Sequence, residues 1–361
     1  MPAPRPQEIF DELRRTVLGQ EEALREIAVA LVKHLVGHPA GNILLVGNSG
    51  SGKTTLMKAI EALLGSDEDL ASWSNVIRIN ASVLAEDRQG YGRAVLSRLY
   101  GNALKKLGPD RMQDALRMVE RGIVFIDEID KVRAQVGAVP SVRGIVAQEA
   151  LLTLMENENV EFEVDLPLPA TVSINSSGIL FVAAGAFEDL YDTVLRRAII
   201  GSDGHPLRPV VVVSQGGEVR EELPFHLRDH LKYEDLFQYG MLPQFVSRFE
   251  SLVVMNDLGQ SDLARIFIEP ERSIFRVSRE YFAGFGIDLQ ITRAAVLSIA
   301  WAAAKQKRLG ARALKDVYRR VIRQLEFDPG PQKGAEESTV ITVDEAMIQR
   351  TLPESEEQGK R

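Results

Sequence analysis

The chain has 361 residues, 45% of them hydrophobic and 26% charged, which is the composition of an ordinary globular protein with room for two or three domains. A formal net charge of −8 gives no global electrostatic case for binding nucleic acid or an anionic membrane. There is no cysteine, which excludes disulfides, thiolate metal sites and thiolate nucleophiles. With no apolar stretch typical of a signal peptide or a membrane span, we expect a cytoplasmic protein.

Strand-like and helical segments alternate through residues 1–256, which predicts a parallel sheet between helices, in three layers. Residues 20–36 carry apolar positions at helical spacing. Two segments without clear periodicity, 157–178 and 200–222, are predicted to be long loops. The predicted strands are 43–46, 76–79, 123–126, 179–184 and 252–254.

The character of the chain changes after residue 256, where a small and mainly helical domain is predicted over 257–350. Ser261 and Thr292 are suited to cap helices that run to about Phe282 and Arg308. Gly310 would open a third helix, and a short strand at 339–343 and a final helix would follow. The polar residues 351–361 are predicted to be a disordered tail.

Residues 47–54 read Gly-Asn-Ser-Gly-Ser-Gly-Lys-Thr and complete the phosphate-loop pattern G-x-x-x-x-G-K-[ST] directly after an apolar strand. Glycines let the backbone N–H groups point at phosphate oxygens, and the N-terminus of the following helix adds partial positive charge. Lys53 would reach the terminal phosphates, and the Thr54 hydroxyl would bind Mg²⁺. The predicted nucleotide-binding residues of this segment are Gly47, Asn48, Ser49, Gly50, Ser51, Gly52, Lys53, Thr54 and Thr55.

A second apolar run, 123–126, ends in Asp127 and Glu128. Since open α/β sheets bind ligands at the carboxyl ends of their strands, Asp127 is predicted to hold Mg²⁺ and Glu128 to activate the attacking water. Taken alone, the pair fits a solvated acidic turn equally well. The phosphate loop upstream favours the nucleotide site.

Several further segments, in the same order, carry a resemblance to a known family. With them the chain resembles the AAA+ protein-unfolding ATPases of the Clp/HslU group, and most closely their ClpX branch. The fold that this implies is an AAA+ module, in which a P-loop α/β domain is followed by a small helical lid domain. The segments are Gln7-Glu8-Ile9, Val17-Leu18-Gly19-Gln20, Phe125-Ile126-Asp127-Glu128-Ile129-Asp130-Lys131, Gln148-Glu149-Ala150-Leu151-Leu152, the run 179–187, the run 239–249 and Gly310-Ala311-Arg312-Ala313-Leu314.

The resemblance implies ATP and Mg²⁺ as cofactors and a hexameric ring that acts on protein substrates. It places Leu18 against the adenine, makes Arg248 a finger that enters the neighbouring subunit's site, and makes Arg312 a sensor of the γ-phosphate. Gly90-Tyr91-Gly92 would be the loop that grips substrate in the pore, although it lacks the family's hydrophobic residue. The plainer alternatives are a surface salt bridge for Arg248, a solvated helix end for Arg312, and packing beside the sheet for Tyr91.

The chain departs from the ClpX branch in three places. Without cysteine, it is expected to lack the zinc domain that precedes the ATPase in that branch. The stretch 157–177, where that branch has a basic loop, contains no Lys, Arg or His but four acids, which favours basic substrates. Ile199-Ile200-Gly201 is followed by Ser202 rather than Phe, and this argues against docking to a ClpP-type peptidase. The four acids are Glu158, Glu161, Glu163 and Asp165.

The function predicted from the sequence is therefore an ATP-hydrolysing AAA+ motor that unfolds or remodels proteins. Two alternatives stay open: a nucleic-acid-associated AAA+ motor, and a nucleotide-gated remodelling scaffold without a protease. The acidic loops argue against the nucleic-acid machine, which would need a basic channel. His226 and His230 have metal-ligand spacing but no third ligand, so they are interpreted as surface residues.

Overall fold

The computed structural model describes residues 4–38, 41–66, 68–84, 92–156, 159–164, 169–201, 206–213, 219–306, 308–329 and 339–351. The chain divides into two compact units. The first comprises Met1–Arg14, Gln20–Gly47 and Lys53–Asn256, and the second comprises Arg15–Gly19, Asn48–Gly52 and Asp257–Arg361. In the described part of the chain, no helix is both long and apolar enough to cross a membrane.

The first unit contains the following described elements. Its helices are α1 (Pro6–Leu13), α2 (Glu21–Leu35), α3 (Lys53–Ser66), α4 (Ala81–Leu84), α5 (Arg93–Leu107), α6 (Met112–Glu120), α7 (Val142–Glu156), α8 (Glu188–Ile200), α9 (Leu227–His230), α10 (Tyr233–Tyr239) and α11 (Pro243–Val246). Its strands are β1 (Asn42–Val46), β2 (Val76–Asn80), β3 (Ile123–Asp127), β4 (Gln135–Val136), β5 (Val139–Pro140), β6 (Val160–Val164), β7 (Ala170–Ile174), β8 (Leu180–Gly185), β9 (Val210–Val213), β10 (Val219–Glu222) and β11 (Phe249–Val254).

A five-stranded parallel sheet in the order β11-β1-β8-β3-β2 forms the centre of this unit and confirms the predicted α/β architecture. All six residues of β8 are buried, as expected of a strand covered on both faces. The register places Asn80 opposite Asp127, Asp127 opposite Ala184, and Val46 opposite Gly185. The ends of β1, β8, β3 and β2 therefore lie along one edge of the sheet.

The two segments predicted to be loops contain antiparallel hairpins instead, so that prediction was wrong. In β6, which pairs with β7, Phe162 is buried while its neighbours Glu161 and Glu163 are exposed, so the strand alternates with period two. The four successive valines of β9, which pairs with β10, conceal any such alternation in the sequence. The strands β6, β7 and β10 have only four or five residues each and carry polar side chains, so their strand signal in the sequence is weak.

The second unit is mainly helical, with α12 (Gln260–Ile268), α13 (Ile274–Ala283), α14 (Arg293–Ala304), α15 (Ala311–Phe327), α16 (Glu345–Thr351), β12 (Ile287–Ile291) and β13 (Thr339–Val343). The helix predicted from Ser261 to Phe282 is two helices. Pro270 follows the end of α12, and the Ser273 side chain caps α13 by accepting the Arg276 N–H. The Thr292 cap of α14 is confirmed, since its hydroxyl accepts the Ala295 N–H at 3.1 Å, but this helix ends at Ala304 rather than Arg308.

Candidate nucleotide-binding site

The phosphate loop leaves the sheet edge from the end of β1. The Gly47 N–H donates to the Gly185 carbonyl of the neighbouring strand β8 at 3.3 Å. The 14-residue helix α3 begins at Lys53, whose Nζ donates to the Gly47 carbonyl at 2.5 Å. An ammonium group is thereby held across the base of the loop, at the N-terminus of a helix, which is the arrangement that attracts phosphate.

The middle of the loop, Asn48–Gly52, belongs to the second compact unit. The Asn48 amide donates to Oδ1 of Asp257 at 2.7 Å, and the Ser51 N–H donates to the Asn48 carbonyl at 3.2 Å. Gly50 and Gly52 have φ of 73° and 105°, in the left-handed region that favours glycine. The loop therefore curls through backbone conformations that few other residues would adopt.

Gly50 also lies against the turn that starts α15. The Ala311 N–H donates to the Gly50 carbonyl at 3.1 Å, and a Cβ on Gly50 would lie 2.2 Å from the Leu309 carbonyl oxygen. In the same unit, Nη1 of Arg312 donates to the Ser49 hydroxyl at 2.5 Å. Arg312 thus contacts the phosphate loop itself, and so it is not simply a solvated helix end.

The two carboxylates at the end of β3 are held by side chains of the neighbouring strand β2. Arg78 donates to Oδ2 of Asp127, whose Oδ1 accepts the Glu128 N–H at 3.0 Å. Asn80 donates its amide to Oε2 of Glu128 at 2.8 Å, while its own oxygen accepts the N–H and hydroxyl of Ser82. Glu128 has a left-handed backbone (φ 59°, ψ 36°), a conformation that is unfavourable for a residue with a side chain.

A third carboxylate, Asp130, follows β3 and contacts the residue that follows β8. It is almost fully buried, accepts the Ala186 N–H at 3.1 Å and lies 2.9 Å from Nζ of Lys131. The hydrogen bond with Asp130 raises the pKa of Lys131. Burial raises the pKa of the nearby Tyr239 phenol well above its usual range, so this group stays neutral and hydrogen-bonds to the Asp130 carbonyl. Asp130 therefore fixes the ends of β3 and β8 relative to each other.

Arg248 lies just before β11 and is about half exposed, with its guanidinium paired to Glu156 at the end of α7. The buried side chain of Gln148 fixes the segment that leads to it. The Gln148 amide donates to the carbonyls of Val132 and Gly240, and its oxygen accepts the Leu242 N–H at 2.7 Å. Hydrogen bonds from α7 hold this segment in place, whereas the Arg248 side chain keeps access to solvent.

The remaining predicted site residues fall in different environments. Leu18 is buried in the second unit, within Arg15–Gly19. Tyr91 lies outside the described residues, so the pore-loop prediction stays untested. His226 is exposed and His230 partly buried, and within the described ranges no group of three or more His, Cys, Asp or Glu residues is placed to bind a metal.

Sequence reasoning missed Arg78, Asn80 and the buried role of Gln148. Arg78 and Asn80 are two apart on a strand that ends beside Asp127, so period two places them on one face. The alternation could have shown that Arg78 and Asn80 share a face of β2. It could not show that they contact Asp127 and Glu128, because this depends on the register between β2 and β3.

The side chains present fit a Mg²⁺ ion of the kind that is bound together with a nucleotide. Thr54 has its hydroxyl in the first turn of α3, and Asp127 is a partly buried carboxylate at a strand end. Mg²⁺ usually keeps water and phosphate oxygens as ligands and takes only one or two from the protein. A hydroxyl and one carboxylate are therefore an adequate donor set.

These features define the class of P-loop nucleotide-binding proteins. A glycine loop joins the buried strand β1 to a helix that begins at its lysine, and a carboxylate pair follows a second parallel strand. The family model described as AAA domain (Cdc48 subfamily) matches residues 38–252, more than half of the chain. The chain belongs to this family, and it is a ClpX-like AAA+ ATPase.

Similar curated proteins extend the likeness along nearly the whole chain. Three of them are named ATP-dependent Clp protease ATP-binding subunit ClpX. The Treponema denticola protein is 28% identical over 96% of this chain and 81% of its own length. The proteins of Borrelia duttonii and Azotobacter vinelandii are also 28% identical, over 97% and 96% of this chain and 80% and 79% of their own lengths.

Proposed function

We propose that this protein is a ring-forming motor that couples hydrolysis of Mg²⁺–ATP to the unfolding or remodelling of polypeptides. The observation that carries the proposal is the pair of carboxylates at the sheet edge where β1 ends and the phosphate-loop sequence begins. Likeness to proteins named ClpX over 96% of the chain supports the extension from ATP hydrolysis to protein unfolding.

In this proposal Lys53 and the loop backbone bind the phosphates, and Thr54 and Asp127 would hold Mg²⁺, which would supply positive charge to the phosphate oxygens. Glu128 orients the attacking water and accepts its proton. Asn80 sets the orientation of the Glu128 carboxylate through its 2.8 Å hydrogen bond. The left-handed backbone of Glu128 is an unfavourable conformation for a residue with a side chain, and its retention at this strand end supports a role beyond packing.

Arg248 would act on the nucleotide of the adjoining protomer, and Arg312 on that of its own. A guanidinium binds phosphate oxygens bidentately and spreads the charge that develops during transfer. Glu156 pairs with Arg248 within the protomer, so the arginine would exchange this carboxylate for phosphate on assembly. Arg312 already donates to Ser49 of the loop, which supports a sensor whose contacts change with the nucleotide.

The charge of the β6–β7 hairpin supports a preference for basic substrate segments. Glu161 and Glu163 are exposed on β6 because the strand buries Phe162 between them. The exposed Ile200 at the end of α8 is followed by Gly201 and then Ser202, so the aromatic anchor of a peptidase-docking tripeptide is missing. We infer a remodeller that releases its product rather than a protease subunit.

Unfolding of a fluorescent protein tests the proposal. Two substrates that carry the same tail, one with lysines and one with glutamates, are mixed with the protein and ATP. Loss of fluorescence with the basic tail, faster than with the acidic one and abolished in Lys53→Ala, is the expected result. Adding a ClpP-type peptidase should release no fragments. Retained fluorescence with both tails while ATP is hydrolysed would contradict the unfolding function.

A further inference from the structure

We propose that Arg78 competes with Mg²⁺ for the carboxylate of Asp127 and so sets the Mg²⁺ concentration at which the protein binds nucleotide. This inference rests on the proposed function, because it takes Asp127 as the metal ligand. It concerns a residue of β2 to which neither the phosphate-loop pattern nor the family match assigns a role.

Both oxygens of Asp127 are engaged in the structure. Oδ2 receives the Arg78 guanidinium, and Oδ1 accepts the Glu128 N–H at 3.0 Å. The Asp127 side chain is only 16% exposed, which leaves little room for another partner. Mg²⁺ bound at Oδ2 would place a second positive group on the oxygen that accepts the Arg78 guanidinium, and repulsion between the two cations disfavours holding both.

Arg78 also shares a groove with Thr54, the second residue proposed to hold Mg²⁺. Thr54 and Arg78 both line a groove of about 520 Å³, bounded by α3, β2 and α5. The other cations in its lining are Lys58, Arg98 and Lys105, and the acid is Glu61. Two positive groups that share one carboxylate repel each other, and at a partly buried site this repulsion is weakly screened.

An open groove next to Arg78 can accept its guanidinium when Mg²⁺ displaces it from Asp127. Arg78 is 49% exposed and its central position on β2 lets the side chain reach along the open groove. The ion pair can exchange because the Arg78 guanidinium, unlike the Asp127 carboxylate, is half exposed and regains water when it leaves. Arg78 is therefore a positioning residue that holds Asp127 until the metal replaces it.

A different role for Arg78 makes the opposite prediction. If its guanidinium bound phosphate directly, removing it would weaken nucleotide binding even at saturating Mg²⁺. If it competes with Mg²⁺, removing it leaves that affinity intact and lowers the Mg²⁺ concentration needed to reach it.

The experiment measures binding of a fluorescent ADP analogue by anisotropy, over a series of Mg²⁺ concentrations and without hydrolysis. Arg78→Gln is compared with the wild type and with Arg98→Gln, which removes a cation from the same groove. The expected result is a Mg²⁺ midpoint about two- to five-fold lower in Arg78→Gln, the change that loss of one half-exposed ion pair gives, and unaltered in Arg98→Gln. Arg78→Met, of similar length, gives the same shift if the glutamine variant fails to fold.

An unchanged or higher midpoint in Arg78→Gln, with wild-type binding still dependent on Mg²⁺, would overturn the competition alone. Loss of affinity at saturating Mg²⁺ would overturn it in favour of phosphate binding. Wild-type binding that does not respond to Mg²⁺ would overturn the proposed function together with this inference.

Discussion

The phosphate loop and the carboxylate pair depend on different kinds of contact. The path of the loop is shaped by its backbone: the Gly50 carbonyl accepts the Ala311 N–H and left-handed glycines form the turn, while the Asn48 and Ser49 side chains add contacts. The carboxylates are held by side chains: Arg78 contacts Asp127 and Asn80 contacts Glu128. Backbone contacts need particular residues only where a side chain would collide, whereas side-chain pairs depend on both partners.

The largest effect is expected at Arg248, which is also held by a side-chain pair. Arg248→Ala should reduce ATP turnover about 10³- to 10⁵-fold, because a finger arginine stabilises the transition-state charge, while nucleotide affinity changes little. Steady-state hydrolysis and equilibrium nucleotide binding measure the two quantities. Glu156→Gln removes the partner of Arg248 within the protomer and should retain turnover. Full activity in Arg248→Ala would exclude the arginine from the site.

Glu128→Gln isolates the chemical contribution of the carboxylate pair. Turnover should fall about 10²- to 10⁴-fold with nucleotide binding preserved, because an amide cannot accept the proton of the attacking water. The matched change Glu280→Gln, at an exposed position on α13, should leave turnover unaltered. Equal rates in Glu128→Gln and the wild type would refute the proposed base.

A further side-chain contact on the carboxylate side of the site, that of His34, makes stability depend on pH. His34 hydrogen-bonds to the chain just before β3, the strand that ends in Asp127. It is buried, and its Nε2–H donates to the Arg121 carbonyl just before β3. Burial lowers the pKa of His34 from 6.5 to about 4. Between these values the unfolded chain binds more protons than the folded one, so the stability that His34 contributes, present above pH 6.5, is lost as the pH falls towards 4.

The free energy of unfolding should therefore drop by about 3 kcal/mol across that window because of this one group. Urea unfolding at a series of pH values measures how steeply the free energy of unfolding changes with pH. Replacing His34 with Gln should flatten it, and the same change at the exposed His38 should leave it as in the wild type. A slope that is identical in all three proteins would show that His34 does not carry the pH dependence.

Gly50→Ala tests whether the phosphate loop needs the left-handed backbone and the close approach to Leu309 that glycine allows. The new Cβ would meet the Leu309 carbonyl at 2.2 Å and would force a side chain into φ 73°. We expect a loss of about 2 kcal/mol in stability, with weaker nucleotide binding, measured by thermal unfolding and ligand titration. Gly65→Ala in α3, where a Cβ meets no atom within 4 Å, should be neutral or slightly stabilising. Equal behaviour of the two variants would contradict the close approach at Gly50.

Features that one continuous segment encodes could be predicted from the sequence alone. The strand, glycine turn and helix around Lys53 and the apolar strand before Asp127 could be identified because each is a local pattern. Arg78 and Asn80 could not be matched to their carboxylates, because that pairing depends on how β2 and β3 are aligned. The hairpin β9–β10 escaped prediction because successive valines hide its alternation, and Pro270 interrupts the segment from Ser261 to Phe282 that was predicted to be one helix.

Mixing two inactive variants tests most directly that ATP is hydrolysed with an arginine from an adjoining protomer. Arg248→Ala keeps Glu128, and Glu128→Gln keeps Arg248, so a mixed assembly contains some interfaces with both groups intact. The account predicts that the mixture hydrolyses ATP well above the sum of the separate variants. A mixture that assembles but shows only that sum would contradict the trans-acting arginine and the ring that it requires.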